Sequence, residues 1–136
     1  MKTKHMLLAD DVRAILAAAS EHAQGQGWKV VIAVVDEGGH QLGLLRLDGA
    51  APISSEIATN KARTAALGRR ESRLYEEMIN GGRTSFLSVP LHAMLEGGVP
   101  IVVDGEVIGA VGVSGVKSEQ DAEIARAGIA ALGIGG

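Results

Sequence analysis

The chain has 136 residues, a formal net charge of −3 and 46% apolar residues, enough to bury the core of one domain. It contains no cysteine, which excludes disulfides, thiolate metal sites and cysteine nucleophiles. The small negative charge gives no general attraction to nucleic acid or to an anionic membrane. The sequence shows no signal peptide and no run near the roughly 18 apolar residues of a membrane span. We therefore expect one cytoplasmic domain, residues 1–136, with neither nucleic acid nor a membrane as partner.

The first half of the sequence predicts a helix followed by a β-hairpin. Apolar residues between positions 8 and 23 recur at helical spacing, and the glycines of GQG end the pattern. The run KVVIAVVD at 29–36 is β-branched and apolar on both faces, which is typical of a central strand. After the turn DEGGH, the run QLGLLRLDG at 41–49 predicts a second strand with one wetter face.

The second half predicts helices, a long loop, another hairpin and a final helix. Helices are expected at 57–68 and 72–79, and the glycine-rich segment 80–100 is expected to be a structured loop. Asp104-Gly105 stands between two apolar runs, the pattern of a type I′ hairpin. The last helix is expected at 118–132, with Ser118 and Asp121 at capping-box spacing. Two hairpins separated by helices predict a single α+β domain, a central antiparallel sheet flanked by helices.

Lys61 interrupts an apolar helical stripe. In IATNKARTAALG it falls between Ile57 and Ala65 on the face that should point to the core. A buried ammonium is costly unless its charge is matched, and Asp121 or Asp36 could match it. The pair could be a structural ion pair or part of a binding site, and the lysine stem could also carry its charge out to water.

Glycines are concentrated in the strand that follows Asp104-Gly105. One face of this strand carries Gly109 and the other carries Gly112, and glycine in a strand indicates that something needs the space. A closely packed helix, a partner subunit or a flat ligand would each explain it. No glycine cluster has the context of a dinucleotide site or a P-loop, so no nucleotide cofactor is expected.

The histidines and arginines give weaker signals. No two of the four histidines stand four residues apart on one helix, so a local metal site is not indicated. His22, near the end of the first helix, and His40, after the double glycine, could each be exposed, and haem iron needs only one or two axial ligands. Basic residues cluster between 61 and 73, with Arg83 nearby in sequence. They predict a solvated helix face or an anion-binding surface.

Four ordered blocks of the sequence resemble the GlcG/HbpS-like family: IAVVDEGGHQLGLLRLDGA, IATNKARTAA, EGGVPIVVDGEVIGAVGVSG and EQDAEIARAGIAAL. Lys61 matches the KA-x-TA block of that family, Asp36, Gly38 and Gly39 match its D-x-GG turn, and Asp121 matches the Q-D of its last helix. The resemblance covers nearly the whole chain. It implies a profilin-like fold, assembly into dimers or larger homo-oligomers, and binding of haem or another tetrapyrrole, sometimes described as haem degradation.

The first functional hypothesis is therefore a cytoplasmic haem- or tetrapyrrole-binding protein, accessory to a catabolic operon. The resemblance implies an exposed side chain as iron ligand, with His22 as the first candidate and His40 as the second. Lys61 and Arg83 would lie near the haem propionates.

The alternative hypothesis is a small catabolic enzyme of isomerase, hydratase or lyase type that acts on an organic acid. Lys61 would hold or polarise a carboxylate, and Asp36 or Asp121 would transfer a proton. The two hypotheses differ in what they need. The enzyme needs Lys61 and a carboxylate in one closed pocket, whereas haem needs an accessible histidine over a flat apolar face.

Overall fold

The computed structural model describes residues 1–134 as a four-stranded antiparallel sheet with helices on both faces. The elements in chain order are α1 Ala9–Gly25, β1 Val31–Asp36, β2 Gln41–Arg46, α2 Ile53–Gly68, α3 Ser72–Asn80, β3 Gly98–Val103, β4 Glu106–Ser114 and α4 Ser118–Ala130. The predicted α+β class, with two hairpins and flanking helices, is confirmed. None of the helices within residues 1–134 is long and apolar enough to cross a bilayer.

The strand order is β2-β1-β4-β3, so the two hairpins are joined through their inner strands. β1 pairs with β4 from Val31 opposite Ser114 to Asp36 opposite Gly109. This central position explains why the first five residues of β1 are all buried, as its apolar run predicts. The β3–β4 turn has positive φ at Asp104 (51°) and Gly105 (75°), the backbone that a type I′ turn requires.

The two faces of the sheet are packed differently. Large aliphatic residues fill the face that carries α1 and α4, including Ile15, Ile32 and Ile124. The opposite face, covered by α2, is built from small side chains such as Ala62 and Ala110. Small residues let the axis of α2 lie close to the sheet.

Glycines on β3 and β4 allow this close approach. Gly98 and Gly112 lie opposite each other in the ladder. A Cβ added to Gly112 would stand 2.1 Å from the carbonyl oxygen of Ala58, and one added to Gly98 would stand 2.1 Å from that of Lys61. Close packing of a helix, one of the explanations that the sequence allows, therefore accounts for the glycines on this face.

Several local features differ from the sequence predictions, and α2 begins at Ile53, four residues before its predicted start at residue 57. The segment 80–100 contains a short 3-10 helix at Thr84–Ser88, and β3 already begins at Gly98. The residue that caps α4 is Lys117, not Ser118, and its N–H donates to Gln120 Oε1. The predicted Ser118–Asp121 capping box is wrong because the Asp121 carboxylate turns inward instead.

Candidate functional site

Lys61 points into the protein and meets Asp121. Its Nζ donates to Asp121 Oδ2 at 3.0 Å and to the carbonyl oxygen of Val113 at 3.0 Å. The Lys61 and Asp121 side chains are only 4% and 3% exposed. The expectation that Lys61 faces an acidic partner is confirmed, and the partner is Asp121, 60 residues further along the chain.

The Asp121 carboxylate ties the start of α4 to the end of β4. Its second oxygen, Oδ1, accepts the backbone N–H of Val116 at 3.1 Å. Burial raises the pKa of the Asp121 carboxyl above its usual value, while the Lys61 ammonium and the Val116 N–H act to lower it. Loss of hydration is thus the largest influence on this carboxyl, and Lys61 and the Val116 N–H are the groups that compensate for it.

The Lys61–Asp121 pair is enclosed by the described residues, since both side chains are almost fully buried. Neither side chain lines any of four surface clefts with volumes of about 320 to 510 Å³. A Cβ on Gly97 would stand 2.8 Å from Lys61 Nζ, so backbone closes over the ammonium. The arrangement is that of an interior ion pair that joins α2 to α4.

Asp36 and His40 form a second pair, in the β1–β2 turn. Asp36 Oδ1 accepts the backbone N–H groups of Gly38 and His40, each at 2.9 Å, and lies 3.1 Å from His40 Nδ1. The His40 side chain is 77% exposed. Because Asp36 engages Nδ1, the free ring nitrogen is Nε2. Asp36, the other candidate partner for Lys61, therefore stabilises the β1–β2 turn and does not pair with Lys61.

Two arginines hold the same turn from α2 and its C-terminal end. Arg63 Nη1 donates to the carbonyl oxygen of Gly39 at 2.8 Å, and Arg69 Nη1 donates to that of Glu37 at 2.9 Å. Arg63 and Arg69, two members of the basic cluster at residues 61–73, thus stabilise the backbone of the β1–β2 turn.

The Asp36 turn should make stability depend on pH. Burial alone would raise the pKa of Asp36, but the N–H groups of His40 and Gly38 and the His40 ring outweigh it and lower the pKa. A lowered folded-state pKa gives stability that is present above the usual carboxyl pKa of about 3.9 and is lost as pH falls through the folded value. We expect Asp36→Asn to cost about 1 kcal/mol at pH 7 and progressively less below pH 4.

Urea unfolding of wild type and variant between pH 7 and pH 2.5 measures this difference. Asp48→Asn, at an exposed position after β2, is the matched control and should show little difference at any pH. A cost for Asp36→Asn that stays constant down to pH 2.5 would contradict the role given to this carboxylate.

His22 lies in the last turn of α1 and faces α4. Its Nε2 is 2.6 Å from Glu123 Oε2, and its ring is tilted against that of Trp28 with 6.2 Å between the ring centres. The side chain is 32% exposed. Neither contact is marked in the sequence, because Glu123 is 101 residues away from His22 and no local spacing points to it.

Arg83 lies in the exposed connection after α3, with its guanidinium carbon 5.1 Å from the ring centre of Phe86. Lys61 is enclosed in the interior. The two cations share no surface, which corrects the expectation of a common Lys61–Arg83 neighbourhood: the ion pair with Asp121 retains the lysine inside.

Comparison with known proteins identifies the family. The model of the family described as "Haem degrading protein HbpS-like" matches residues 7–130. The protein GlcG of Escherichia coli K12 is 60% identical over 114 residues, which cover 84% of this chain and 85% of GlcG. The chain belongs to the HbpS-like family.

Solved structures of HbpS-like proteins share the fold. HbpS superimposes with a TM-score of 0.88 at 33% identity, covering 97% of this chain and 94% of its own. A complex of PduOC with haem superimposes with a TM-score of 0.87 at 32% identity, covering 96% and 98%. The resemblance drawn from the four sequence blocks is confirmed, and one of these relatives has been solved with haem bound.

Proposed function

We propose that this HbpS-like chain binds haem or a related tetrapyrrole through His22. The observation that carries the proposal is the position of His22, a partly exposed imidazole between α1 and α4 with a tryptophan ring beside it. The haem complex of PduOC, a relative with the same fold, makes haem the first ligand to test.

The surface around His22 fits a flat apolar ligand. Ala14 and Ala18 precede His22 by eight and four residues and so share its side of α1, and Ala127 follows Glu123 by four on α4. The two helices pack closely, since a Cβ on Gly128 would stand 3.0 Å from the carbonyl oxygen of Ile15. Alanine side chains leave a shallow apolar surface, and covering it with a porphyrin would remove apolar area from water.

The Glu123 carboxylate suits a histidine that ligates a metal. Ligating histidines usually give their second ring nitrogen to a carboxylate, which fixes the tautomer and raises ligand basicity. With Glu123 at Nε2, the nitrogen left for iron is Nδ1. Haem, when bound, supplies an iron that can take an axial ligand and change its oxidation state.

His40 is the second candidate ligand, on a different observation. Asp36 holds its Nδ1 and leaves Nε2 free at a side chain that is 77% exposed. Leu42, the next apolar side chain along β2, is exposed as well. Asp36 thus orients the His40 ring, whereas His22 lies beside alanine side chains of two helices and the Trp28 ring. We favour His22 because two helices and the Trp28 ring form a surface around it on which a porphyrin can bury apolar area.

A hemin titration of tag-free protein, followed in the Soret region, tests the proposal. Wild type should give a saturable, red-shifted band, and His22→Ala should abolish the shift or weaken binding at least about tenfold, as expected for the loss of an interaction of about 1.4 kcal/mol or more. His92→Ala, an exposed histidine elsewhere, is the matched control and should bind as wild type does.

Three outcomes contradict parts of the proposal. Loss of the band in His40→Ala alone would move the iron to the β1–β2 turn. Retention in both variants would exclude both histidines as ligands. A wild-type spectrum equal to that of free hemin would remove haem as the ligand.

The remaining functional expectations have less support. The organic-acid enzyme required Lys61 and a carboxylate in one closed pocket that a substrate can enter, and the Lys61–Asp121 pair lines none of the four clefts described above. Homo-oligomer formation stays a prediction, supported by the exposed Leu87 and Leu95 that line one cleft beside α3. The cytoplasmic location also stays a prediction.

A further inference from the structure

The most voluminous of the four clefts lies between the edge strand β3 and helix α4, apart from His22. Its volume is about 510 Å³, within the range of about 300–1,000 Å³ that small-molecule sites occupy. The walls are mainly aliphatic, with Val99 and Val102 from β3 and Ile129 from α4. Val102 is 44% exposed in a cleft that nothing within residues 1–134 fills.

One cation and one anion stand at this cleft. Arg126 Nη2 donates to Glu71 Oε1, and both residues line the cleft, with side chains 51% and 27% exposed. A guanidinium carries five N–H donors in a planar fork, and the contact with Glu71 uses only part of that fork. Glu71 also has Arg73 at 3.6 Å, so Arg126 could engage a ligand without leaving Glu71 without a cation.

The edge of β3 does not favour a peptide strand as the occupant. Pro100 lies in the middle of this edge strand and has no N–H to donate. Proline on an edge interrupts the row of donors that an added strand would need. The cleft therefore offers apolar walls and a guanidinium rather than a continuous backbone ladder.

We propose that this cleft binds a small carboxylate with an apolar body. The carboxylate would accept two hydrogen bonds from Arg126, a geometry that guanidinium and carboxylate share. The aliphatic body would lie against Val99, Val102 and Ile129, where it would cover exposed apolar surface. The proposal is independent of the haem site, because neither His22 nor Glu123 lines this cleft.

Titration with sodium octanoate, monitored by backbone amide NMR shifts, tests the assignment, with 1-octanol as the neutral ligand of equal chain length. We expect saturable shifts confined to β3, α4 and the start of α3, and weaker binding of octanol. Arg126→Gln should weaken octanoate binding about tenfold or more, since a charge-assisted pair is lost. Arg13→Gln, whose arginine pairs with Asp10 on α1, should leave it unchanged.

Val102→Glu is a second test at an exposed position. It should also weaken octanoate binding, because it places a negative charge, the same sign as that of octanoate, on the cleft wall. Four results would overturn the proposal: no saturable shifts, equal binding of octanol, unchanged binding in Arg126→Gln, or a lower mass of Val102→Glu than of wild type in sedimentation equilibrium. The last result would mean that a second copy of the chain covers the cleft.

Discussion

Replacing Lys61 with methionine is expected to lower the free energy of unfolding by about 3–5 kcal/mol, the usual cost of breaking a buried ion pair from one side. Methionine keeps the length of the stem and removes the ammonium. The Asp121 carboxylate, 3% exposed, would then lose its cationic partner, and the carbonyl oxygen of Val113 would lose a donor. Urea unfolding at pH 7, followed by circular dichroism, measures the change.

Two further variants separate this effect from general damage. Arg13→Met removes the cation of an exposed pair, Arg13–Asp10, and should cost at most about 1 kcal/mol. The double variant Lys61→Met with Asp121→Leu should recover much of the loss, because no buried charge remains. A cost for Lys61→Met as small as that of Arg13→Met would show that the ammonium reaches water in solution.

Placing alanine at Gly112 is expected to cost about 3 kcal/mol or more, at the upper end of the range for overpacked sites. The added Cβ would stand 2.1 Å from the carbonyl oxygen of Ala58 and 2.5 Å from the amide nitrogen of Ala62. Both atoms belong to the backbone of α2, so no side-chain rotation can relieve the contact. The helix would have to move away from the sheet, which would also disturb the neighbouring Lys61.

Gly25→Ala is the matched control, because a Cβ at the end of α1 would meet nothing within 4 Å. This variant should be neutral or more stable by up to about 1 kcal/mol, since alanine restricts the unfolded chain. Equal stability of the Gly112 and Gly25 variants would contradict the close packing of α2 on the sheet. Thermal unfolding measured side by side distinguishes these outcomes.

The main elements of the fold could be predicted because hydrophobic spacing determined them. The apolar run of β1 and the Asp104-Gly105 turn each have a local physical cause, burial on both faces and positive φ, and the structure contains both. The limits of α3 differ from those predicted by one residue. These features depend on neighbours in the sequence, so the sequence alone was sufficient.

Long-range pairing could not be predicted in the same way. The sequence indicated that Lys61 needs an acidic partner but left Asp36 and Asp121 open, because the choice depends on how α2 and α4 meet at the end of β4. The structure assigns Asp121 to Lys61 and Asp36 to His40. Burial of both charges also removed Lys61 from any surface site, which helix periodicity alone could not decide.

The two surface pairs that carry the proposals were not visible in the sequence. His22 meets Glu123 across 101 residues, and Arg126 meets Glu71 across 55. Neither pair has a recognisable spacing, since each depends on the packing of α4 against another part of the fold. In the sequence, His22 and Arg126 therefore stand as separate residues whose partners no motif marks.

The proposed haem site is the alanine-rich surface between α1 and α4, with His22 as the iron ligand. A crystal structure of the hemin complex tests this most directly. We expect iron bonded to the His22 imidazole, Glu123 on the other ring nitrogen, and the porphyrin against Ala14 and Ala18. Iron bonded to His40, or a porphyrin on another surface with His22 still free, would contradict it.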